Sequence, residues 1–238
     1  MYVLISNNLE LVLEKKSIVH WLPNFCTTLT CFFGFLALTS AASGAIDKSC
    51  YYVFFAAVTD FLDGRVARMT GNESDFGAAY DSLADIIAFG IAPAIISYYS
   101  GLLELGKIGW SCAFLYATAT ALRLARFNTS EADPGYFIGM PCPAAALLVT
   151  GYILFLSKLP LLILILHTVS AAILQVSNVP FKHTKKIKVP SKHRLIFLLG
   201  LVTMVCAIFV YPAGFIYGLM LAYVLFSIYS FCLSKQCT

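Results

Sequence analysis

Charged side chains are scarce in this chain. They make up 12% of its 238 residues, against 60% hydrophobic residues, and the mean hydropathy is +0.83. A soluble domain carries about 25% charged residues, so there is too little polar surface here to clothe a water-facing globule. A disulfide framework and a zinc site are missing as well. The eight cysteines (Cys26, Cys31, Cys50, Cys112, Cys142, Cys206, Cys232 and Cys237) are scattered with no C-x-x-C spacing, and read as small apolar packing residues. The first 21 residues lack the continuous apolar run of a cleavable leader, being interrupted by Glu10, Glu14, Lys15 and Lys16. What is present is apolar sequence in lengths suited to a bilayer.

Stretches of about 17–25 apolar residues are long enough to span, and eight are found, near 22–44, 49–69, 79–100, 107–127, 139–157, 159–179, 194–211 and 213–233. Asp47-Lys48, Gly71-Asn-Glu-Ser, Asp133-Pro-Gly, Lys158-Leu-Pro160 and Tyr211-Pro-Ala-Gly214 separate most of them. The expected fold is therefore an all-α integral membrane protein of about eight transmembrane helices. Residues 1–21 form an N-terminal cytosolic or interfacial segment, its apolar side chains at helical spacing ending in Trp21. Residues 22–238 form one membrane-embedded catalytic domain, with a core at about 22–180 and additional C-terminal helices at about 194–233.

An even number of spans puts both termini on one side. That side holds 13 of the 16 Lys and Arg residues and the other only Lys48, Lys107 and Lys158, so the termini are expected in the cytoplasm. The run 182–194, with five lysines, Arg194 and no acid, is a cationic loop suited to an anionic leaflet.

One segment breaks the apolar pattern. Asp60-Phe-Leu-Asp63-Gly64-Arg-Val-Ala67-Arg68 is followed, eight residues on, by Gly77-Ala-Ala-Tyr-Asp81-Ser-Leu-Ala-Asp85. Each ionised group at membrane depth costs roughly 2.5–3.5 kcal/mol on insertion scales, so such residues mark chemistry or transport. On a helix, Asp60, Asp63, Gly64 and Ala67 share one face, and Gly77, Asp81 and Asp85 form a second stripe. Two adjacent helices meeting there converge four carboxylates, which repel one another unless a hard divalent cation with oxygen ligands sits among them. Gly64 and Gly77 let a ligand approach the backbone, and Arg68 offers a planar cation suited to phosphate. The inferred ligand carries phosphates and binds through Mg²⁺ or Mn²⁺ at the membrane surface. Asp85, at the end of the second stripe, is the candidate base for an incoming hydroxyl. An ion pathway, or acids neutralised by Arg65, Arg68, Arg123 and Arg126, is the plainer alternative.

The full pattern, D-x-x-D-G-x-x-A-R-x₈-G-x₃-D-x₃-D from Asp60 to Asp85, resembles the signature of the CDP-alcohol phosphotransferases, with every fixed position and both gaps present. The resemblance implies a helical membrane bundle with a six-helix catalytic core, usually dimeric, in which Asp60, Asp63 and Asp81 are metal ligands. Asp85 is then the base and a contact to a second metal. Asp60, Gly64, Ala67, Arg68, Gly77 and Asp81, with Asn24 and Thr27 at the start of the first span, are implied to lie along the CDP moiety.

Outside the signature, Leu22-Pro23-Asn24-x-x-Thr27, Asp81-Ser-Leu-Ala-Asp85-Ile-Ile-Ala-Phe-Gly90-Ile-Ala-Pro93, Arg123-Leu-Ala-Arg126-Phe-Asn128, Phe137-Ile-Gly139-Met-Pro141-Cys-Pro143-Ala-Ala-Ala146 and Val176-Ser177-Asn178 look like the serine-using branch, the phosphatidylserine synthases. Thr30, where that branch often has Asn, and Met140, in place of a usual Leu, depart from it. The implied reaction is transfer of a phosphatidyl group from CDP-diacylglycerol to L-serine, giving phosphatidylserine and CMP. Arg123 and Arg126 are then candidate hosts for the serine carboxylate, with Asn128 beside them. The implied setting is a prokaryotic inner membrane with the active site facing the cytosol. Expected partners are the two substrates, membrane lipid and a second copy of the chain, with no nucleic acid. The alternatives keep the donor and change the acceptor to glycerol-3-phosphate, inositol phosphate or choline. More remote are a membrane prenyltransferase, which lacks the Gly64 and Ala67-Arg68 positions, and a divalent-cation transporter.

Overall fold

In the computed structural model, which describes residues 24–70, 74–129, 136–156, 160–182 and 212–236, the apolar stretches fold as helices. They are α1 (Asn24–Ala42), α2 (Ile46–Thr70), α3 (Asp75–Asp85), α4 (Ala92–Tyr99), α5 (Lys107–Thr129), α6 (Cys142–Leu156), α7 (Leu161–Val176) and α8 (Pro212–Gln236). A π-helical turn, Ile86–Ile91, joins α3 to α4 as one rod. Seven of the eight expected spans thus correspond to helix. The eighth, 194–211, lies outside the described residues, as do residues 1–21 and the cationic loop beyond Lys182. Among the described residues two helices, Asn24–Ala42 and Asp75–Tyr99, are long and apolar enough to cross a membrane by length and composition. Cys142–Phe155, Leu161–Val176 and Tyr217–Phe231 are shorter apolar helices.

Small residues set how closely these rods approach. A Cβ on Gly34 of α1 would lie 2.8 Å from the Ala88 Cα in the π turn, so the two backbones touch where only glycine fits. Val53 and Ala56 of α2, Ala88, Phe89 and Ala92 around the π turn, and Ala145, Ala146 and Val149 of α6 are fully buried and belong to one core.

The π turn follows from the sequence around it. Pro93 has no N–H to give the carbonyl four residues earlier, and that carbonyl, on Phe89, accepts instead from the buried Tyr116 hydroxyl of α5 at 3.2 Å. The Ala92 N–H reaches back five residues to the Ile87 carbonyl. The wide turn re-phases the rod just past Asp85, and such turns often accompany functional sites.

At the end of the bundle that carries the aspartates, Tyr136–Ile138 (β1) pairs antiparallel with Pro180–Lys182 (β2). This ties the segment entering α6 to the segment leaving α7. The last helix, α8, packs along α6: a Cβ on Gly214 would lie 2.6 Å from the Phe155 ring and one on Gly151 3.2 Å from the Tyr217 Cβ, so both glycines sit at close contacts.

Candidate active site

The two acidic stripes face each other. Asp60 and Asp63 on α2 and Asp81 on α3 each present an oxygen, and the three oxygens lie within 4.8 Å of one another. Asp85, one turn further into the bundle and 8% exposed, brings its carboxyl against that of Asp60. The Asp63 Oδ2 accepts a hydrogen bond from the buried Thr27 Oγ1 of α1 at 3.1 Å. One oxygen of Asp81 and one of Asp85 are buried with no hydrogen-bond partner. Buried carboxylate oxygens left this way are costly. The converging oxygens of Asp60, Asp63 and Asp81 fit a hard divalent cation, whose coordination they would begin and not complete.

The entry to α3 is built for close approach. Ser74 is its N-cap, with extended backbone, and its Oγ accepts from the Gly77 N–H at 3.0 Å. A side chain on Gly77 would meet Ser74 Oγ at 3.1 Å and Asn24 Oδ1 at 3.7 Å. Gly77 and Asn24, from opposite ends of the motif region, therefore border one space. Gly64 directly follows Asp63 on α2. Ala67 and Arg68 come a turn later on the same helix, and their side chains lie outside the described residues. Arg65 is exposed, its guanidinium 5.4 Å from the centre of the Phe61 ring.

The three residues of the expected acceptor region separate. Arg123 is 8% exposed, enters the interior within electrostatic reach of Asp60 and Asp85, and donates from Nη1 to Cys142 Sγ at 2.9 Å, while its Nε is unpartnered. Arg126 ties α5 to the end of α7, donating to Asn178 Oδ1 at 2.7 Å and to the Val176 carbonyl at 3.4 Å. Asn128 pairs with Ser82 of α3 at 3.0 Å. The first is free to meet a ligand; the other two act as struts.

Sequence reasoning gave Tyr80, Gln175 and Tyr223 no role, and reached Cys142 only as part of the Gly139–Pro143 turn, read as shaping the acceptor pocket or starting the fifth span. Tyr80 joins α3 to α1 through a 3.0 Å contact with Thr28. Cys142 holds Arg123. Gln175, on α7, is buried beside the turn that carries Cys142. Tyr223, on α8, packs on Phe181 of β2 and lies within electrostatic reach of Arg123. Tyr80 sits one residue before Asp81 and could have been flagged by that alone. The others depend on contacts between distant parts of the chain.

The model of the CDP-alcohol phosphatidyltransferase family matches residues 20–181. The chain belongs to this family. The match contains the whole of the acidic site, Arg123, Cys142 and Gln175, and stops short of α8. Among its relatives within the CDP-alcohol phosphatidyltransferases, a CDP-diacylglycerol–serine O-phosphatidyltransferase of Helicobacter pylori (strain ATCC 700392 / 26695) is 40% identical over 174 residues, which is 70% of this chain and 73% of that protein. Proteins of the same name are similar in Mycobacterium leprae (strain TN), 33% identical over 85% of this chain and 71% of the relative, and in Bacillus subtilis (strain 168), 34% identical over 71% of this chain and 93% of the relative.

Proposed function

We propose that the protein transfers the phosphatidyl group of CDP-diacylglycerol to the hydroxyl of L-serine, forming phosphatidylserine and releasing CMP. The observation that carries this reading is the convergence of the Asp60, Asp63 and Asp81 oxygens beside a buried Asp85. The names of the relatives favour serine among the possible acceptors. Asp60, Asp63 and Asp81 would hold Mg²⁺ or Mn²⁺, with Asp85 at its edge. Such an ion neutralises the charge of a diphosphate and polarises its phosphorus–oxygen bonds.

The chain's own residues account for the rest. Thr27 fixes the orientation of Asp63. Gly77 and Gly64 leave the backbone open along the nucleotide side, between Asn24 and the Ser74 cap. Arg123 offers its unpartnered Nε to the serine carboxylate, and a guanidinium matches a carboxylate's geometry. Asp85 receives the proton of the serine hydroxyl as its oxygen forms a bond to phosphorus, and CMP departs with the electrons of the broken phosphorus–oxygen bond.

Membrane embedding with a cytosolic site is supported by how the helices alternate. Asn24, Asp60, Asp81, Arg123 and Arg126 gather at one end of the bundle, while Lys48 and Lys107 begin α2 and α5 at the other. The outward faces carry exposed Phe25, Phe32, Phe35, Phe55 and Phe114, suited to lipid.

The test is detergent-purified protein given CDP-diacylglycerol and Mn²⁺ or Mg²⁺, with labelled serine, glycerol-3-phosphate, inositol phosphate or choline, and the lipid product identified. Phosphatidylserine is the expected product. CMP release with glycerol-3-phosphate and not with serine overturns the acceptor. In the same assay, chelation of divalent ions is expected to abolish turnover and added Mg²⁺ or Mn²⁺ to restore it; full activity after exhaustive chelation removes the metal from the proposal.

A further inference from the structure

Gln175 ends the buried face of α7, a stripe running Leu164, Thr168, Ala171, Ala172, Gln175. It is 1% exposed, and neither its amide nitrogen nor its amide oxygen has a hydrogen-bond partner. A buried amide with both ends unmet is unfavourable, and an unbranched apolar side chain would fill the same space without that cost. Packing therefore does not explain a glutamine here.

The surroundings do. Arg126 holds the end of α5 against Val176, the neighbour of Gln175, and Arg123 lies one turn earlier on α5. Helical side chains lean toward the N-terminus of their helix, so the Gln175 amide inclines toward the turn of Ala171 and Ala172, which are buried with it. Between Gln175 and Arg123 runs the turn Gly139–Cys142. Gly139 has φ +81, and a side chain there would collide with the Gln175 carbonyl. The Met140 N–H donates to the Leu174 carbonyl at 3.0 Å, and Cys142 takes the Arg123 hydrogen bond. A buried cation and a buried neutral amide, each with unspent hydrogen-bonding capacity, thus flank one short turn beside Asp85.

We propose that Gln175 is the second wall of the acceptor pocket and selects an α-amino acid. Its amide N–H group donates to the serine carboxylate that Arg123 also holds, and its amide oxygen accepts from the serine ammonium. The proposal rests on serine being the acceptor. The pocket chemistry agrees with that choice among the described residues: a phosphate-bearing acceptor is best held by more than one cation, and Arg126, the next cation on α5, is engaged by Asn178 and Val176. A neutral donor–acceptor pair suits a zwitterion instead.

The experiment compares the full-length wild type with Gln175→Leu and Gln175→Glu, measuring KM for serine, KM for CDP-diacylglycerol and the melting temperature. For Gln175→Leu we expect serine KM to rise about tenfold or more, the size of effect expected when a buried hydrogen-bonding group is removed from a polar ligand. Donor KM should stay within about twofold, and the melting temperature should be unchanged or higher. Gln175→Glu should raise serine KM further, because a carboxylate then faces a carboxylate. A purely structural glutamine would lower the melting temperature and leave the two KM values in their original ratio. Should the leucine variant fail to fold, Gln175→Met keeps the unbranched shape and answers the same question. An unchanged serine KM in a folded, apolar variant of an enzyme that uses serine overturns this inference alone. A wild type that makes no phosphatidylserine overturns the parent reading and this one with it.

Discussion

Asp85 differs from its three companions in depth. Asp60, Asp63 and Asp81 offer oxygens to a common point, whereas Asp85 sits a turn deeper against Asp60 and near Arg123. Replacing it with Asn keeps its shape and removes its ability to take a proton. Asp85→Asn should therefore reduce kcat by about a thousandfold or more, in the range of a lost general base, while CDP-diacylglycerol binding largely survives. Single-turnover kinetics with a donor-binding assay would check this, and near-wild-type turnover would remove the base assignment. The four aspartates were legible in the sequence because their spacing alone, three and four residues on two helices, fixes a shared face. Arg123 was legible only as one of three candidates. What separated it from Arg126 and Asn128 is the company each keeps, Asn178 and Ser82 lying 52 and 46 residues away in sequence. Gln175 carried no local signal, since an isolated glutamine in an apolar helix shows its meaning only when its neighbours prove unable to satisfy it.

Helix positions in the sequence followed from apolar length, but the π turn between α3 and α4 did not. Periodicity over a handful of residues cannot distinguish a five-residue step from a four-residue one. The cue was Pro93, and its consequence needed a second element, the Tyr116 hydroxyl on Phe89 O. Tyr116→Phe removes that donor and leaves the carbonyl buried and unmet, which should cost about 1–3 kcal/mol. The lowered melting temperature should come with a smaller kcat, because the rod that loosens also carries Asp85. A variant as stable as wild type would show that the Phe89 carbonyl finds another partner. The crossing of α1 over the same turn gives a second test. Gly34→Ala must push Ala88 back by several tenths of an ångström or more, backbone against backbone, and overpacking of this kind costs about 1–3 kcal/mol. Because α1 also carries Thr27, its displacement should raise donor KM as well as lower stability, whereas the serine KM should change little.

Taken as a whole molecule, the bundle keeps its chemistry at one end and the anchorage of α8 at the other. The family match ends at residue 181, and the Bacillus subtilis relative is covered over 93% of its length by 71% of this chain. The last helix is thus an addition to the matched core, held by its own contacts. Near its start, Tyr217 packs on Gly151, and its hydroxyl lies 2.7 Å from His167 Nε2, with the His167 ring stacked on Tyr152 at 4.4 Å. His167 is eight residues before Gln175 on α7, about 12 Å along the axis at 1.5 Å per residue. Tyr217→Phe keeps the ring and removes only the hydroxyl, so the half-buried His167 nitrogen loses its partner, at about 0.5–1.5 kcal/mol. The expected result is a lower melting temperature and faster proteolysis of the C-terminal helix, with kcat and both KM values close to wild type. Toward its other end, α8 sets Tyr223 against Phe181 and near Arg123. If loosening the Tyr217 anchor instead raises serine KM in step with the loss of stability, α8 is part of the acceptor pocket's wall, and anchorage and chemistry are not separate in this bundle.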